Sequence, residues 1–441
     1  MTSRPRNNSK PQISHLNPWE VVFYASNIAT WHSLLAAHPQ NSIASSKLWN
    51  LFMGILATSK SLRAGPHLSD RGGHRGRYLW SDAFGVINLL TMHKEYCRAG
   101  NDTVNDDRYL IIAGRLIDTV HDVLGWTRDG HSRLPGATDD NPLGGGLRIG
   151  KTDDNGSDCD GQYHHYLTIW MFALNRMSKA SGNNAYNRMA VQLARAIHPK
   201  FFVDRSSSKP RMVWKMSMDL SAPLVSSEGN LDPIDGFVVF RILQAAAMEA
   251  GDGEVLAEEI NDYKRVMERK GKHFVSSDTL DLGMTLWTTH WFSENEQWAL
   301  NLTERCFEQL YNLFEIDRYL DRNLKFRLAF REFGTSMGAQ CQSEHMTEKE
   351  GSVDLKTWSD SIIAAWDPYM DLTISQGLMP DDLKPITRVM YASALIPGGK
   401  CKPVLSSGSV TFTPCTKISH QAFCAGYFGS EPDAKVVMDK R

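Results

Sequence analysis

Arg77-Tyr78-Leu79-Trp80-Ser81-Asp82-Ala83-Phe84-Gly85 brings a carboxylate and an indole together where a polar, aromatic loop runs into an amphipathic helix. Phe84, Ile87 and Leu90 continue that helix along one apolar face. The combination returns in altered form four times. It recurs as Asp160-Gly161-Gln162-Tyr163-His164-His165, as Asp232-Pro233-Ile234-Asp235, from Asp281 through Trp287 to His290, and as Arg331-Glu332.

Each start leads into a helical pair. Leu110, Ala113, Ile117, Val120 and Leu124 lie at helical intervals and form the partner of the first. Tyr166, Trp170, Ala173 and Met177 pair with Tyr186, Met189, Leu193 and Ile197, a helix predicted to stop at His198-Pro199 because proline disfavours helix in the residue before it. Phe237 to Met248 pairs with Leu256, Ile260, Tyr263 and Met267. Leu282 to Trp291 pairs with Trp298, Leu302, Cys306 and Leu310, and Phe326, Phe330, Phe333 and Met337 pair with Leu355, Trp358, Ile362 and Trp366. An earlier pair is expected over Pro18 to Leu35 and Ser45 to Leu62, and a last helix over Pro385 to Ile396 could plug or close the assembly. The starts at Trp80, Gln162, Pro233, Asp281 and Arg331 are 82, 71, 48 and 50 residues apart. A period of this size in a helical chain signals stacked hairpins, as an open solenoid or a closed ring. The expected organisation is a flexible segment over 1–18, one all-α domain over 19–396, and an irregular or partly disordered tail over 397–441.

Tandem α-hairpins with aromatic and acidic residues at alternate helix starts resemble the six-hairpin glycosidase-like superfamily, the (α/α)6 toroids that include acylglucosamine-type epimerases. The resemblance is architectural and covers about residues 19–396. It implies six inner and six outer helices, with a pocket at one end of the ring lined by the loops that enter the inner helices.

Composition narrows the function classes. Lys and Arg total 48 against 50 Asp and Glu, a net charge of -2, so no general field attracts nucleic acid. No stretch approaches the roughly 20 apolar residues of a membrane span. The first residues lack a signal-peptide apolar run, and the seven cysteines are scattered without a Cys-x-x-Cys, so the expected location is cytoplasmic with reduced thiols. Nothing in the sequence indicates an oligomeric state.

Gly145-Gly146-Leu147-Arg148-Ile149-Gly150-Lys151-Thr152 fits the phosphate-loop pattern, but Leu134 to Pro142 before it is no strand and Asp153 to Asp158 after it is no helix. A glycine-rich lid fits better, with Arg148 and Lys151 able to meet an anionic group. The acidic run of Asp153, Asp154, Asp158 and Asp160 lacks the outer ligands of a calcium loop, and no His-x-x-x-His spacing suggests zinc. No cofactor and no metal are expected.

The expected partner is a small molecule, a sugar or sugar-like metabolite. Glycoside hydrolysis needs one carboxylic acid and one carboxylate across the scissile bond, and Asp82 with Asp235 is the preferred pair. His165 joins the catalytic candidates, since histidine exchanges protons near neutral pH. Arg77, Tyr78, Trp80, Gln162, Tyr163, His164, Trp287, His290, Arg331 and Glu332 are the expected substrate-binding residues. A glycoside hydrolase-like enzyme is the leading reading. A sugar epimerase with paired histidines, a lyase or cyclase of secondary metabolism, and a non-catalytic interaction scaffold stand beside it.

Overall fold

The computed structural model describes residues 76–98, 107–153, 156, 158–270, 276–343, 350–370, 379–396 and 428–429. These residues all belong to one compact unit, Asn50–Arg441. The chain is all-α, with eleven α-helices among the described residues: α1 (Leu79–Arg98), α2 (Arg108–Leu124), α3 (His164–Ser181), α4 (Ala185–Phe201), α5 (Asp232–Glu249), α6 (Ala257–Lys270), α7 (Thr279–Thr289), α8 (Gln297–Tyr311), α9 (Ala329–Ser343), α10 (Glu350–Trp366) and α11 (Lys384–Leu395). Two short antiparallel ribbons interrupt them, β1 (Gln162–Tyr163) with β4 (Lys215–Met216) and β2 (Phe202–Val203) with β3 (Arg211–Met212). None of the described helices is long and apolar enough to cross a membrane.

Two kinds of helix follow from the sequence pattern. In α2, Ala113, Ile117, Val120 and Leu124 are buried on one stripe while the opposite side faces outward, the mark of an outer helix. In α5 every residue from Asp232 to Leu243 is buried, and in α7 every residue from Leu282 to Thr289. A helix covered on all sides must sit inside other helices. The packing agrees: α1 contacts α3, α3 contacts α5, and the series continues through α7 and α9 to α11, which returns to α1. Helices α2, α4, α6, α8 and α10 each pack on the helix before them.

Polar bonds fix the seam between first and last helix. Asn88 of α1 donates to the Val389 carbonyl of α11 at 3.2 Å and accepts from the Ser393 hydroxyl at 3.1 Å. The α7–α9 seam instead depends on absent side chains. A methyl group on Gly338 would lie 1.8 Å from the Gly283 carbonyl oxygen, and one on Gly283 would lie 2.3 Å from the Thr335 Cα. Only glycine permits two helix backbones to approach this closely.

Two expectations meet corrections. The helix predicted to stop at His198-Pro199 runs on to Phe201, because a proline so close to a helix end removes one hydrogen bond without breaking the last turn. Phe326 belongs to a separate single turn, Leu324–Phe326, and is exposed; α9 begins only at Ala329. The 385–396 helix, expected to plug or close the assembly, is α11 and packs against both α9 and α1. In the tail, Phe428 and Gly429 are buried. The Phe428 ring stacks on Phe84 of α1 at 5.2 Å, and its carbonyl accepts from the Trp287 indole of α7 at 3.1 Å. Residues 1–18, the predicted Pro18 to Leu35 and Ser45 to Leu62 helices, and the rest of 397–441 lie outside the described residues.

Gly338→Ala will destabilise the protein by about 3 kcal/mol or more, the upper range for overpacking, because the clash is with backbone; urea denaturation against wild type measures it. Half-buried His121 accepts the Trp170 indole N–H at 3.1 Å, and loss of water around its ring lowers its pKa to about 4. A histidine held neutral in the fold takes up a proton more readily when unfolded. Its contribution is complete above the ordinary histidine range and is lost as pH falls from about 6.5 toward 4. Melting temperature measured across that window will fall, and less steeply in His121→Gln.

Candidate functional site

A cavity of about 740 Å³ opens where the starts of the odd-numbered helices converge. Arg77, Tyr78, Trp80, Ser81 and Asp82 bring the start of α1 to it, and His165 and Tyr166 that of α3. Gly229, Asn230, Leu231 and Asp232 supply α5, Leu280 and Asp281 supply α7, Phe330 and Arg331 supply α9, and Leu383, Pro385 and Ile386 supply α11. Trp214 and the segment Gly150–Asp153 complete the wall.

At the α1 start, Asp82 is buried, and its Oδ2 accepts the Tyr78 backbone N–H at 3.1 Å. Its Oδ1 lies 3.2 Å from the buried Arg77 guanidinium. Burial raises its pKa above the ordinary carboxylate range, against the lowering pull of Arg77 and of the Tyr78 amide. Tyr78 and Tyr166 share a hydroxyl hydrogen bond of 2.6 Å. The Trp80 ring packs between Phe84 at 5.0 Å and Tyr166 at 5.2 Å.

Across the α3–α5 junction, Asp232 accepts the His165 backbone N–H at 3.1 Å, and its Oδ1 lies 3.3 Å from His165 Nδ1 and 3.6 Å from His164 Nδ1. Burial alone would raise Asp232, but the two histidines outweigh it and hold the carboxyl well below its usual range. Asp235, one turn further in, is pushed well above that range by burial and then by Asp232 and Asp281. Asp281 accepts from Asn230 at 3.0 Å and from Ser276 at 3.1 Å.

The glycine-rich segment is a fixed wall rather than a lid. Leu79 N–H donates to the Ile149 carbonyl at 3.0 Å, Ile149 N–H to Gly161 at 2.8 Å, and Arg148 N–H to Leu124 at 2.9 Å. Gly150 adopts φ +92, with the Arg77 carbonyl where a side chain would begin. Asp160 anchors the segment: one oxygen accepts from Gly150 and Gly161 N–H, each at 3.0 Å, and the other meets Arg148 at 2.7 Å and Arg128 at 3.2 Å. Arg148 is therefore held inside the protein and cannot meet a ligand. Lys151 does reach the cavity, paired with Asp158, and burial followed by nearby Lys215 lowers its pKa.

Several predicted site residues lie elsewhere. Asp235 is behind the wall, and Asp232, the other carboxylate of that turn, lines the cavity. Gln162 is buried, accepting from Leu147 at 3.0 Å and donating to the Gly145 and Met218 carbonyls at 2.8 and 2.7 Å. His164 bonds the Tyr263 hydroxyl at 2.5 Å, and Tyr163 lies under Lys151 and Lys215. Trp287 packs on Phe172 and bonds Phe428, and His290 turns Nδ1 to the Trp287 carbonyl. Glu332 is fully engaged by Arg327 at 2.6 and 2.8 Å and by the Trp366 indole at 2.8 Å. Trp287 and His290 lie at the far end of α7, Gln162 and Tyr163 form β1 ahead of α3, Asp235 sits a turn deeper than Asp232, and His164 and Glu332 turn inward from their helix starts. Tyr166, Trp214, Asn230, Phe330 and the α11 start were missed. Tyr166 reads as a core position by periodicity, and Trp214 sits outside any helical pattern.

Among the described residues, no group of three or more His, Cys, Asp or Glu side chains could hold a metal ion. No protein-family model matches the chain, and no curated protein matches it. The arrangement places aromatic rings, a carboxyl raised by burial and a histidine beside a second carboxylate around one cavity, the groups that proton transfer to a bound small molecule requires.

Asp160→Asn will lower stability by about 3 to 5 kcal/mol, since it leaves the Arg148 guanidinium buried without its counter-charge. Chemical denaturation checks the loss, and amide exchange will show Gly150 and Gly161 deprotected beyond neighbouring residues.

Proposed function

We propose that the chain is an (α/α)6 toroid acting as a carbohydrate-active enzyme of glycoside hydrolase type. The return of α11 to α1 supports the toroid. One observation carries the function: two carboxylates on the same aromatic cavity wall, Asp82 and Asp232, are displaced in opposite directions, the first up and the second down. Environments that separate two titratable groups in this way assign an acid and a base.

In this reading Asp82 gives its proton to the leaving glycosidic oxygen. Asp232 holds the Nδ1 proton of His165, which leaves Nε2 to take a proton from water as the water oxygen bonds to the anomeric carbon. The C–O bond breaks as the new one forms, and the products are the free sugar and the protonated leaving group, an alcohol or a second sugar. Trp80, Tyr166 and Trp214 offer ring faces to the sugar. Paired-histidine epimerisation draws no support from the site, because His164 and His290 are both buried away from the cavity.

A screen of aryl glycosides and oligosaccharides tests the proposal. Wild type will hydrolyse at least one, and Asp82→Asn and Asp232→Asn will each lose about 100-fold to 10,000-fold in kcat, the usual span for a lost acid or base. Melting curves must show both variants folded. Full activity in both would remove the assignment.

A further inference from the structure

Buried hydrogen-bond donors need acceptors, and leaving one empty is costly. Among the buried side-chain atoms without a hydrogen-bond partner, five belong to residues of the cavity wall: Nε, Nη1 and Nη2 of Arg77, the indole Nε1 of Trp80, and Nε of Arg331. All five are donors. Arg77 and Trp80 are only 1% and 2% exposed, so bulk water does not satisfy them. The carboxylate nearest Arg77 is Asp82, which approaches Nη1 at 3.2 Å and turns its other oxygen to the Tyr78 amide. A guanidinium has five N–H groups in a planar fork, and one carboxylate oxygen leaves most of them unused. Arg331 lines the same cavity, with its Nη1 paired to Asp278 and its Nε left over.

Two further carboxylates of the wall have acceptor capacity to spare. Asp281 is held by Asn230 and Ser276, and Asp158 by Lys151. A ligand that fits both halves brings hydroxyl donors for the carboxylates and a strong acceptor for the guanidinium and indole.

We propose, resting on the carbohydrate reading above, that the cavity takes an acidic sugar whose carboxylate or sulfate is received by Arg77, the Trp80 indole N–H and Arg331. Planar forks recognise such oxyanions in pairs, and an indole N–H adds a third donor. The helix starts around the cavity add partial positive charge in the same sense.

Calorimetric titration with glucuronate, glucose 6-sulfate and glucose tests this. Wild type will bind at least one acidic sugar about tenfold or more tightly than glucose, the scale of a hydrogen bond to a charged group. Trp80→Phe keeps an aromatic ring but removes the N–H with part of the indole; it will weaken acidic-sugar binding by about tenfold or less beyond whatever it costs glucose, so the acidic preference falls. Arg331→Gln will act in the same direction. Arg77→Gln strands Asp82 inside the fold, so it is compared with Arg77→Gln/Asp82→Asn, and both will lose the acidic preference. Equal binding of all three sugars, absence of acidic-sugar binding, or unchanged affinity in both Trp80→Phe and Arg331→Gln would overturn the proposal. Hydrolysis of neutral glycosides without acidic preference would remove this inference and leave the hydrolase reading intact. Acidic-sugar binding without hydrolysis of any glycoside would do the reverse.

Discussion

The contact between α1 and α11 is the constraint on which the other helices depend. An amide buried between two helices must be satisfied in both directions, and Asn88 is: it donates to the Val389 carbonyl and accepts from Ser393. Such bonds are directional, so they set how far one helix may slide along the other. Apolar packing is far more tolerant of sliding. With first and last helix held in register across 301 residues of chain, the intervening odd-numbered helices bring their starts to one end, and the cavity forms there.

The same arrangement accounts for the divided character of the interior. Away from the cavity, Phe84, Phe428, Trp287 and Phe172 make successive ring contacts or hydrogen bonds between α1, α7 and α3. Toward the cavity the aromatic column gives way, at Trp80, to paired charges. Asp82, Asp232 and Asp235 occupy equivalent places near helix starts, but their surroundings differ: a guanidinium for the first, two imidazoles for the second, and two carboxylates for the third. Burial raises all three and is outweighed only at Asp232, by its two imidazoles, so surroundings rather than residue type decide which carboxyl carries a proton.

Helical periodicity made the paired helices legible, because a buried stripe requires apolar residues at fixed intervals. Ala113, Ile117, Val120 and Leu124 are an example. The convergence of helix starts was legible too, through Trp80 with Asp82 and through the Asp232–Asp235 turn. The choice within a turn was not. Asp232 and Asp235 are three residues apart, nearly the same direction on a helix, yet one lines the cavity and the other lies a turn deeper. Glu332 and Arg331 are adjacent, and the first turns inward to Arg327 while the second faces the cavity. Phe428, distant from every helical pattern, carried no periodic signal at all.

By itself the sequence determined that the chain is helical, which faces of its helices are apolar, and that polar and aromatic residues gather at alternate helix starts. These are local properties, set by spacing along one element. Only the tertiary structure decided that α11 meets α1, that Phe428 lies between Phe84 and Trp287, and that the glycine-rich segment is pinned by Asp160. It also decided which donors at the cavity remain without acceptors. Those outcomes depend on side chains from distant parts of the chain competing for the same partners, and sequence spacing carries no record of that competition.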